Sequence, residues 1–220
     1  MKIILENISK TFGEQKVLDG LDLAIESKKI TFIIGQSGGG KSVLLKHIIG
    51  LVKPDSGRVL VDDIDISSLN EAGLNEIRKN FGMLFQDAAL FDSMTVGENV
   101  AFPLNEHRRL PKKEVERIVT EKLLQVGLTG VLQKMTSEFS GGMRKRVGLD
   151  RALALDPKII LFDEPTTGLD PIMCDAIDQL IVETQKNTGS TCVVISHDID
   201  STFKIAHRVA TVSYTHLRAH

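Results

Sequence analysis

The chain has 220 residues, enough for one sizeable α/β domain, and its 42% apolar and 25% charged residues are ordinary for a soluble globular protein. Its net charge of −2, with basic and acidic side chains interspersed, argues against a nucleic-acid partner. No apolar run approaches the roughly eighteen residues of a membrane span and no signal-peptide segment opens the chain, so we expect it in the cytoplasm.

The N-terminal part predicts two half-buried strands followed by a buried strand and a helix. Apolar and polar residues alternate in Ile3–Ile8 and again in Leu21–Ile25, which is typical of antiparallel strands with one solvated face. The apolar run Ile30–Ile34 predicts a buried strand, and the periodic stretch Val43–Ile49 predicts a helix. A small β-layer beside a strand–turn–helix unit is therefore expected.

The turn between that buried strand and helix has the phosphate-loop pattern G-x-x-x-x-G-K-[ST]. Its residues are Gly35, Gln36, Ser37, Gly38, Gly39, Gly40, Lys41 and Ser42. Glycines allow backbone N–H groups to point into such a loop, and the helix dipole favours negative charge there. Lys41 can reach the outer phosphates, and the Ser42 hydroxyl can bind Mg²⁺. The segment predicts nucleoside triphosphate binding.

An acidic pair ends the next clear buried-strand pattern. Ile159–Phe162 is followed by Asp163 and Glu164. A carboxylate at a strand end can hold Mg²⁺, while its neighbour can orient and polarise an attacking water, which divides the labour between the two. A helical pattern and the strand pattern Thr191–Ile195 follow, and this βαβ rhythm implies a parallel sheet. The nucleotide would then lie at the carboxyl ends of the strands.

Over nearly its whole length the sequence resembles the nucleotide-binding subunits of ABC transporters. Besides the phosphate loop and the acidic pair, Phe139–Met143 is similar to the family's Leu-Ser-Gly-Gly-Gln signature, with two of five positions changed. The resemblance implies an α/β P-loop NTPase (RecA-like) fold: a parallel-sheet core, an N-terminal antiparallel β-layer and an inserted α-helical subdomain at about residues 83–150. The ABC ATPase domain would span residues 1–212, and a helix opened by Pro111 would belong to the subdomain.

The resemblance also implies that ATP and Mg²⁺ bind, and it assigns roles by position. The implied nucleotide-binding residues are Phe12, Gly35, Gln36, Ser37, Gly38, Gly39, Gly40, Lys41, Ser42, Val43, Ser140, Gly141, Gly142 and Asp170. The implied metal ligands are Ser42, Gln86 and Asp163, and the implied catalytic residues are Glu164, His197 and Gln86. On the residues alone, Phe12 could instead be a core aromatic, Gln86 a plain loop residue, His197 a structural histidine and Ser140–Gly142 only a turn.

Further segments sharpen the resemblance towards the ATPases of Mla-type phospholipid transport systems, also known for organic-solvent resistance. These segments are Lys53–Gly57, Met83–Val96, Asn99–Leu104 and the Met143 variant of the signature. The resemblance implies a homodimer of ATPase subunits bound to an integral-membrane permease dimer at the cytoplasmic face of the inner membrane. An MCE-domain lipid-binding protein would complete the system, which moves phospholipid between the inner and outer membranes.

Two points depart from this interpretation or compete with it. Ser213–His220 resembles no family segment, and we expect it to be foreign or read-through sequence on a C-terminally truncated subunit. The alternative function is a soluble ABC ATPase not coupled to a permease, although the chain has neither a long coiled-coil insertion nor a second ATPase unit. A nucleotide-binding regulator without turnover is a third possibility, and Glu164 and His197 argue against it.

Overall fold

In the computed structural model, which describes residues 1–36, 38–212 and 217–219, the strands form two sheets. The strands are β1 (Ile3–Phe12), β2 (Gln15–Ile25), β3 (Ile30–Gly35), β4 (Ser56–Val61), β5 (Ile64–Asp65), β6 (Phe81–Leu84), β7 (Ile159–Asp163), β8 (Thr191–Ser196), β9 (Arg208–Val212) and β10 (Leu217–Ala219). The first sheet is antiparallel with the order β2-β1-β4-β5, and the second has the order β10-β9-β3-β8-β7-β6.

All neighbours in the second sheet are parallel except β10, which runs antiparallel to β9. The carboxyl ends of β3, β6, β7 and β8 therefore lie along one edge of this sheet. This edge receives the phosphate loop after β3, Gln86 after β6, the acidic pair at the end of β7 and His197 after β8. The parallel-sheet topology therefore gathers residues that are far apart in the sequence.

Seven helices surround the sheets in the described part of the chain. They are α1 (Lys41–Ile48), α2 (Glu71–Arg78), α3 (Val96–His107), α4 (Lys112–Gln125), α5 (Gly141–Leu153), α6 (Pro171–Thr188) and α7 (Ile199–Ile205). Short 3₁₀ turns occur at Ile66–Ser68 and Thr136–Glu138. None of the helices in the described residues is long and apolar enough to cross a bilayer.

The central strands of the parallel sheet are buried on both faces. Phe32 and Phe162 belong to the apolar cluster formed with helices α3 to α6, whereas Ile33 and Leu161 belong to the cluster formed with α1, α2 and the antiparallel sheet. This alternation follows from the two-residue period of a strand, and burial on both faces explains why these strands are continuous apolar runs. The buried sheet therefore supports the loops at its edge.

The predicted fold class is confirmed, and the structure refines several boundaries. The two predicted N-terminal strands are longer than the alternation indicated, so that Phe12 is the last residue of β1 and lies next to the turn into β2. Pro111 precedes α4 as its N-cap, and Gly127 beyond its end has a φ of 75°. The predicted subdomain boundary near residue 83 lies within β6, a strand of the parallel sheet.

The interpretation of Ser213–His220 as foreign or read-through sequence stays a prediction. Residues 213–216 and 220 lie outside the described residues, and the backbone of Leu217–Ala219 pairs with β9, with Leu217 opposite Val212.

Candidate active site

The phosphate loop joins β3 to α1 through backbone conformations that favour glycine. Gly38 has a φ of 77° and Gly40 has a φ of 84°, in the left-handed region that residues with a Cβ adopt at a cost. A Cβ on Gly39 would lie 2.9 Å from the carbonyl oxygen of Gln36. Ser37, also assigned to this loop from the sequence, lies outside the described residues. The loop thus keeps its backbone free of side chains just before the helix N-terminus, which suits an anion.

Lys41 opens α1 and is almost completely buried. Its ammonium donates hydrogen bonds to the carbonyl oxygens of Gly35, at 2.7 Å, and of Gln36, at 3.0 Å. These carbonyls belong to the phosphate loop itself, so the positive charge is held inside the loop. A triphosphate bound there would meet both the backbone N–H groups and this ammonium.

Ser42 and Asp163 bring two oxygen donors together beside the loop. The Ser42 hydroxyl donates a 3.4 Å hydrogen bond to Oδ1 of Asp163, the last residue of β7. Burial raises the pKa of the Asp163 carboxyl, and the hydrogen bond from Ser42 partly offsets this shift. A hydroxyl and a carboxylate are hard ligands of the kind that Mg²⁺ prefers. The residues present therefore fit a magnesium ion bound next to a triphosphate.

Glu164 and His197 form a polar pair at the ends of β7 and β8. His197 Nδ1 lies 2.7 Å from Glu164 Oε2, and the same oxygen accepts a 3.2 Å hydrogen bond from the Thr167 hydroxyl. The backbone N–H of Glu164 donates to the carbonyl of Ile195, which ties the two strand ends together. The Glu164 side chain is 15% exposed and that of His197 is 59% exposed. A carboxylate held in this way can orient and deprotonate a water molecule.

Ser140, Gly141 and Gly142 lie at the N-terminus of α5. The exposed Ser140 is the N-cap of this helix, and its hydroxyl oxygen accepts a 3.4 Å hydrogen bond from the backbone N–H of Met143. Helix α5 has 13 residues, so it is long enough for its dipole to favour an anion at this end. The segment therefore offers a hydroxyl and the N–H groups of a helix N-terminus, which suit an anion.

Asp170, another predicted nucleotide-binding residue, lies at the start of α6. It is the N-cap of α6, and its Oδ1 accepts a 3.0 Å hydrogen bond from the backbone N–H of Met173. A Cβ added to Gly142 would lie 2.0 Å from Cε of Met173. The start of α6 therefore packs directly against the start of α5, and Asp170 helps to fix that contact.

Phe12 and Gln86 are both exposed. For Phe12 this exposure excludes the alternative of a core aromatic. The Phe12 ring is 47% exposed at the end of β1, with the Lys10 ammonium 5.5 Å from its centroid, so Phe12 is not a core aromatic. Its free face can stack on a base. Gln86 is exposed in the segment directly after β6, at the edge of the sheet that carries the other predicted residues.

Two sets of contacts in this site were not predicted from the sequence. Thr167 binds the carboxylate of Glu164, as described above, and Lys145 of α5 is a buried lysine bonded to the loop after β7. The Thr167 contact was predictable in principle, because Thr167 lies three residues after Glu164 and a turn of that length can bring the two side chains together. For Lys145 the sequence gives only its position five residues after Ser140, and this spacing does not predict that the ammonium is buried against backbone carbonyls.

Comparisons with known proteins show the family to which the chain belongs. The sequence profile described as ABC transporter matches residues 18–167. A protein of Haemophilus influenzae named as the ATP-binding protein MlaF of an intermembrane phospholipid transport system is 45% identical over 93% of this chain and 77% of its own length. A protein of Mycobacterium tuberculosis named as a probable ribonucleotide transport ATP-binding protein, mkl, is 42% identical over 99% of this chain.

The chain spans 60% of the length of that mycobacterial relative. Among solved structures, the dimeric ATP-binding cassette MJ0796 in a post-hydrolysis state with ADP and Pi is 32% identical, with a TM-score of 0.89 over 99% of this chain and 97% of its own. On the match to the family profile, the identity to these relatives and the shared fold, the chain belongs to the ABC transporter family.

Proposed function

We propose that this chain is the ATP-binding and ATP-hydrolysing subunit of an ABC transporter. The observation that carries the proposal is the Glu164 carboxylate, whose Oε2 lies 2.7 Å from Nδ1 of His197 at the sheet edge that also holds the phosphate loop. A regulator that only binds nucleotide has no need of a carboxylate held beside the metal-binding pair. The position of Glu164 next to Asp163 supports turnover as well as binding.

The phosphates of ATP bind to the loop between β3 and α1. Lys41 neutralises charge on the outer phosphates, and backbone N–H groups of the glycine loop bind their oxygens. The exposed ring of Phe12 stacks on the adenine. Ser42 and Asp163, with Gln86, would hold Mg²⁺, which when bound draws negative charge away from the transferred phosphoryl group.

Hydrolysis needs one water molecule in line with the γ-phosphorus. Glu164 accepts a hydrogen bond and then a proton from this water as the new P–O bond forms. The bond between the γ-phosphorus and the β–γ bridging oxygen breaks, and the electron pair stays on ADP. His197 holds the Glu164 carboxylate in position, and its other ring nitrogen is assigned to a γ-phosphate oxygen.

Two copies of the chain form the working unit. Ser140 and the N-terminus of α5 offer anion-binding groups, and within the chain Gly141 and Gly142 pack against Leu169 and Met173. These groups are assigned to the γ-phosphate of ATP held by the phosphate loop of the second copy. The dimeric state named for the MJ0796 cassette supports this arrangement.

The proposed membrane partner is a permease dimer, which would place the chain at the cytoplasmic face of the inner membrane. A surface groove beside Gln86 supports this placement. Its lining residues include Phe85, Phe91, Phe102, Pro103 and Arg151. Phe85 and Phe91 are 40% and 42% exposed, so the groove offers apolar surface to a partner.

The proposed cargo is phospholipid, and an MCE-domain lipid-binding protein is the proposed further partner. The support is identity to proteins of Haemophilus influenzae and Escherichia coli whose names describe intermembrane phospholipid transport, at 45% and 42%. The name of the mycobacterial relative favours a second candidate cargo, ribonucleotide. Lipid transfer between labelled donor and acceptor vesicles, measured beside ribonucleotide uptake in the same reconstituted complex, separates the two.

The proposed activity is tested by measuring the release of phosphate from ATP in the presence of Mg²⁺. The purified chain is measured alone and with a candidate phospholipid permease in lipid nanodiscs, with Glu164→Gln as the matched control. Glu164→Gln keeps the shape and hydrogen bonding of the side chain but cannot take a proton, so turnover should fall at least about a hundredfold while ATP still binds. Equal turnover in the variant contradicts the role of Glu164. Wild-type turnover that a bound permease does not change favours a soluble ABC ATPase.

A further inference from the structure

Lys145 is a buried lysine of α5, five residues after Ser140, and its ammonium is held by another part of the chain. Only 5% of the residue is exposed. Taking an ammonium out of water is costly unless the charge finds hydrogen-bond acceptors, so a buried lysine is retained only with good partners. The question is which groups hold it.

The partners are two backbone carbonyls of the loop that follows β7. Lys145 Nζ donates to the carbonyl oxygen of Pro165 at 2.6 Å and to that of Thr167 at 2.8 Å. Burial lowers the pKa of Lys145, and the carboxylates of Asp87 and Glu164 oppose that shift. The ammonium therefore joins the N-terminal half of α5 to the loop that begins at Glu164.

This loop begins with a residue in a left-handed backbone conformation. Glu164 has a φ of 49°, a left-handed conformation that costs a residue with a Cβ free energy unless its surroundings enforce it. Lys145 binds the carbonyl of Thr167, and the Thr167 hydroxyl donates a hydrogen bond to Oε2 of Glu164. Fixing Pro165 and Thr167 thus fixes both ends of the short turn on which the Glu164 carboxylate depends.

We propose that Lys145 is a positioning residue, which holds the Glu164–Thr167 turn in its hydrolysis-competent shape and joins it to the α5 helix that carries Ser140. The inference rests on the proposed function, because it concerns the residue assigned to the water. Lys145 binds backbone carbonyls of this loop, so it acts on Glu164 through the loop.

The test compares Lys145→Met, which fills the space without any donor, with Lys145→Arg, which keeps charge and N–H donors. Arg146→Met is the matched control, because its guanidinium lies one residue further along α5 and donates to a carbonyl elsewhere, that of Val126. Each chain is measured for kcat, for affinity for a fluorescent ATP analogue, for Tm and for amide hydrogen exchange of residues 164–170.

For Lys145→Met we expect kcat to fall at least about tenfold, the range of a lost hydrogen bond to a charged group, while ATP affinity changes less than about twofold. Amide exchange in residues 164–170 should accelerate. Lys145→Arg should recover much of both properties, and Arg146→Met should leave them near the wild-type values. Should Lys145→Met fail to fold, Lys145→Gln replaces it: its amide is one atom too short to reach both carbonyls, and kcat should fall in the same way.

Three results would overturn the proposal: kcat and loop exchange unchanged in a folded Lys145→Met chain, no recovery in Lys145→Arg, or an equal loss in Arg146→Met. Failure of the proposed function looks different, because the wild-type chain then releases no Glu164-dependent phosphate. In that case the exchange of residues 164–170 still decides whether Lys145 holds the loop.

Discussion

At the scale of single residues, Glu164 combines backbone strain with side-chain restraint. Its φ of 49° lies in a region that residues with a Cβ seldom occupy, and its N–H donates to Ile195 of the neighbouring strand. One carboxylate oxygen, Oε2, accepts hydrogen bonds from Thr167 and contacts His197. These restraints orient the carboxylate before any substrate arrives, so little reorganisation remains for the reaction itself.

Removing His197 should therefore slow hydrolysis more than it weakens binding. We expect His197→Ala to lower kcat about tenfold to a hundredfold, because Glu164 loses its 2.7 Å partner, while ATP affinity changes little. The Tm should stay close to that of the wild type, since the His197 side chain is 59% exposed. Steady-state phosphate release and nucleotide titration measure the two quantities.

For the chain measured without a permease, His107→Ala is a suitable control, because His107 is exposed at the end of α3 and lines the surface groove beside Gln86, outside the residues assigned to hydrolysis. A His197→Ala chain that keeps the wild-type kcat would show that His197 is a structural residue at a strand end, the alternative that the sequence left open.

At the scale of elements, local sequence patterns were sufficient to predict a strand or loop whose residue types follow directly from its own burial or backbone conformation. The strands β3, β7 and β8 were predicted because burial on both faces demands continuous apolar runs. The loop before α1 was predicted because its motif supplies glycine where the backbone is left-handed, at Gly38 and Gly40. The Lys145 contacts were not predictable in this way, since they join residues 20 and 22 positions apart through the packing of α5 on the loop after β7.

Helix α5 also buries a carboxyl group that the packing does not satisfy. Asp150 has no exposed surface, and neither of its carboxyl oxygens accepts a hydrogen bond from the described residues. Burial raises its pKa to about 8, against a smaller opposing effect of the Lys122 charge. The group is therefore largely protonated at neutral pH in the folded chain but ionised in the unfolded chain.

The sign of the resulting pH dependence follows from proton binding. Between about pH 4 and pH 8 the folded chain holds a proton that the unfolded chain releases, so this residue destabilises the fold by up to about 1.4 kcal/mol more for each pH unit gained. Asp150→Ala removes the group, and its Tm should exceed that of the wild type by an amount that is small near pH 5 and largest near pH 8.

Thermal unfolding of both chains at several pH values measures this difference. A gain that is the same at every pH would indicate a packing effect unrelated to ionisation. A lower Tm for Asp150→Ala at pH 8 would contradict the assignment of an unsatisfied buried carboxyl group.

At the scale of the whole molecule, the topology divides the catalytic groups into two sets. Phosphate loop, acidic pair and His197 follow parallel strands and share one sheet edge. Ser140 starts α5 and packs, through Gly142, against Met173 of α6. The fold and the first set could be predicted from motifs on strands, whereas the second set, in the proposed function, binds a nucleotide held by a second copy of the chain.

Mixing two inactive variants tests this account most directly. Lys41→Met removes the ammonium that meets the phosphates, and Ser140→Arg blocks the groups offered to the other copy's nucleotide, so each variant alone should be inactive. A mixed dimer keeps one intact site, formed by Lys41 of one chain and Ser140 of the other, and ATP hydrolysis should reappear on mixing. Mixed dimers that form but stay inactive, beside an active wild-type chain, would contradict a site shared between two copies.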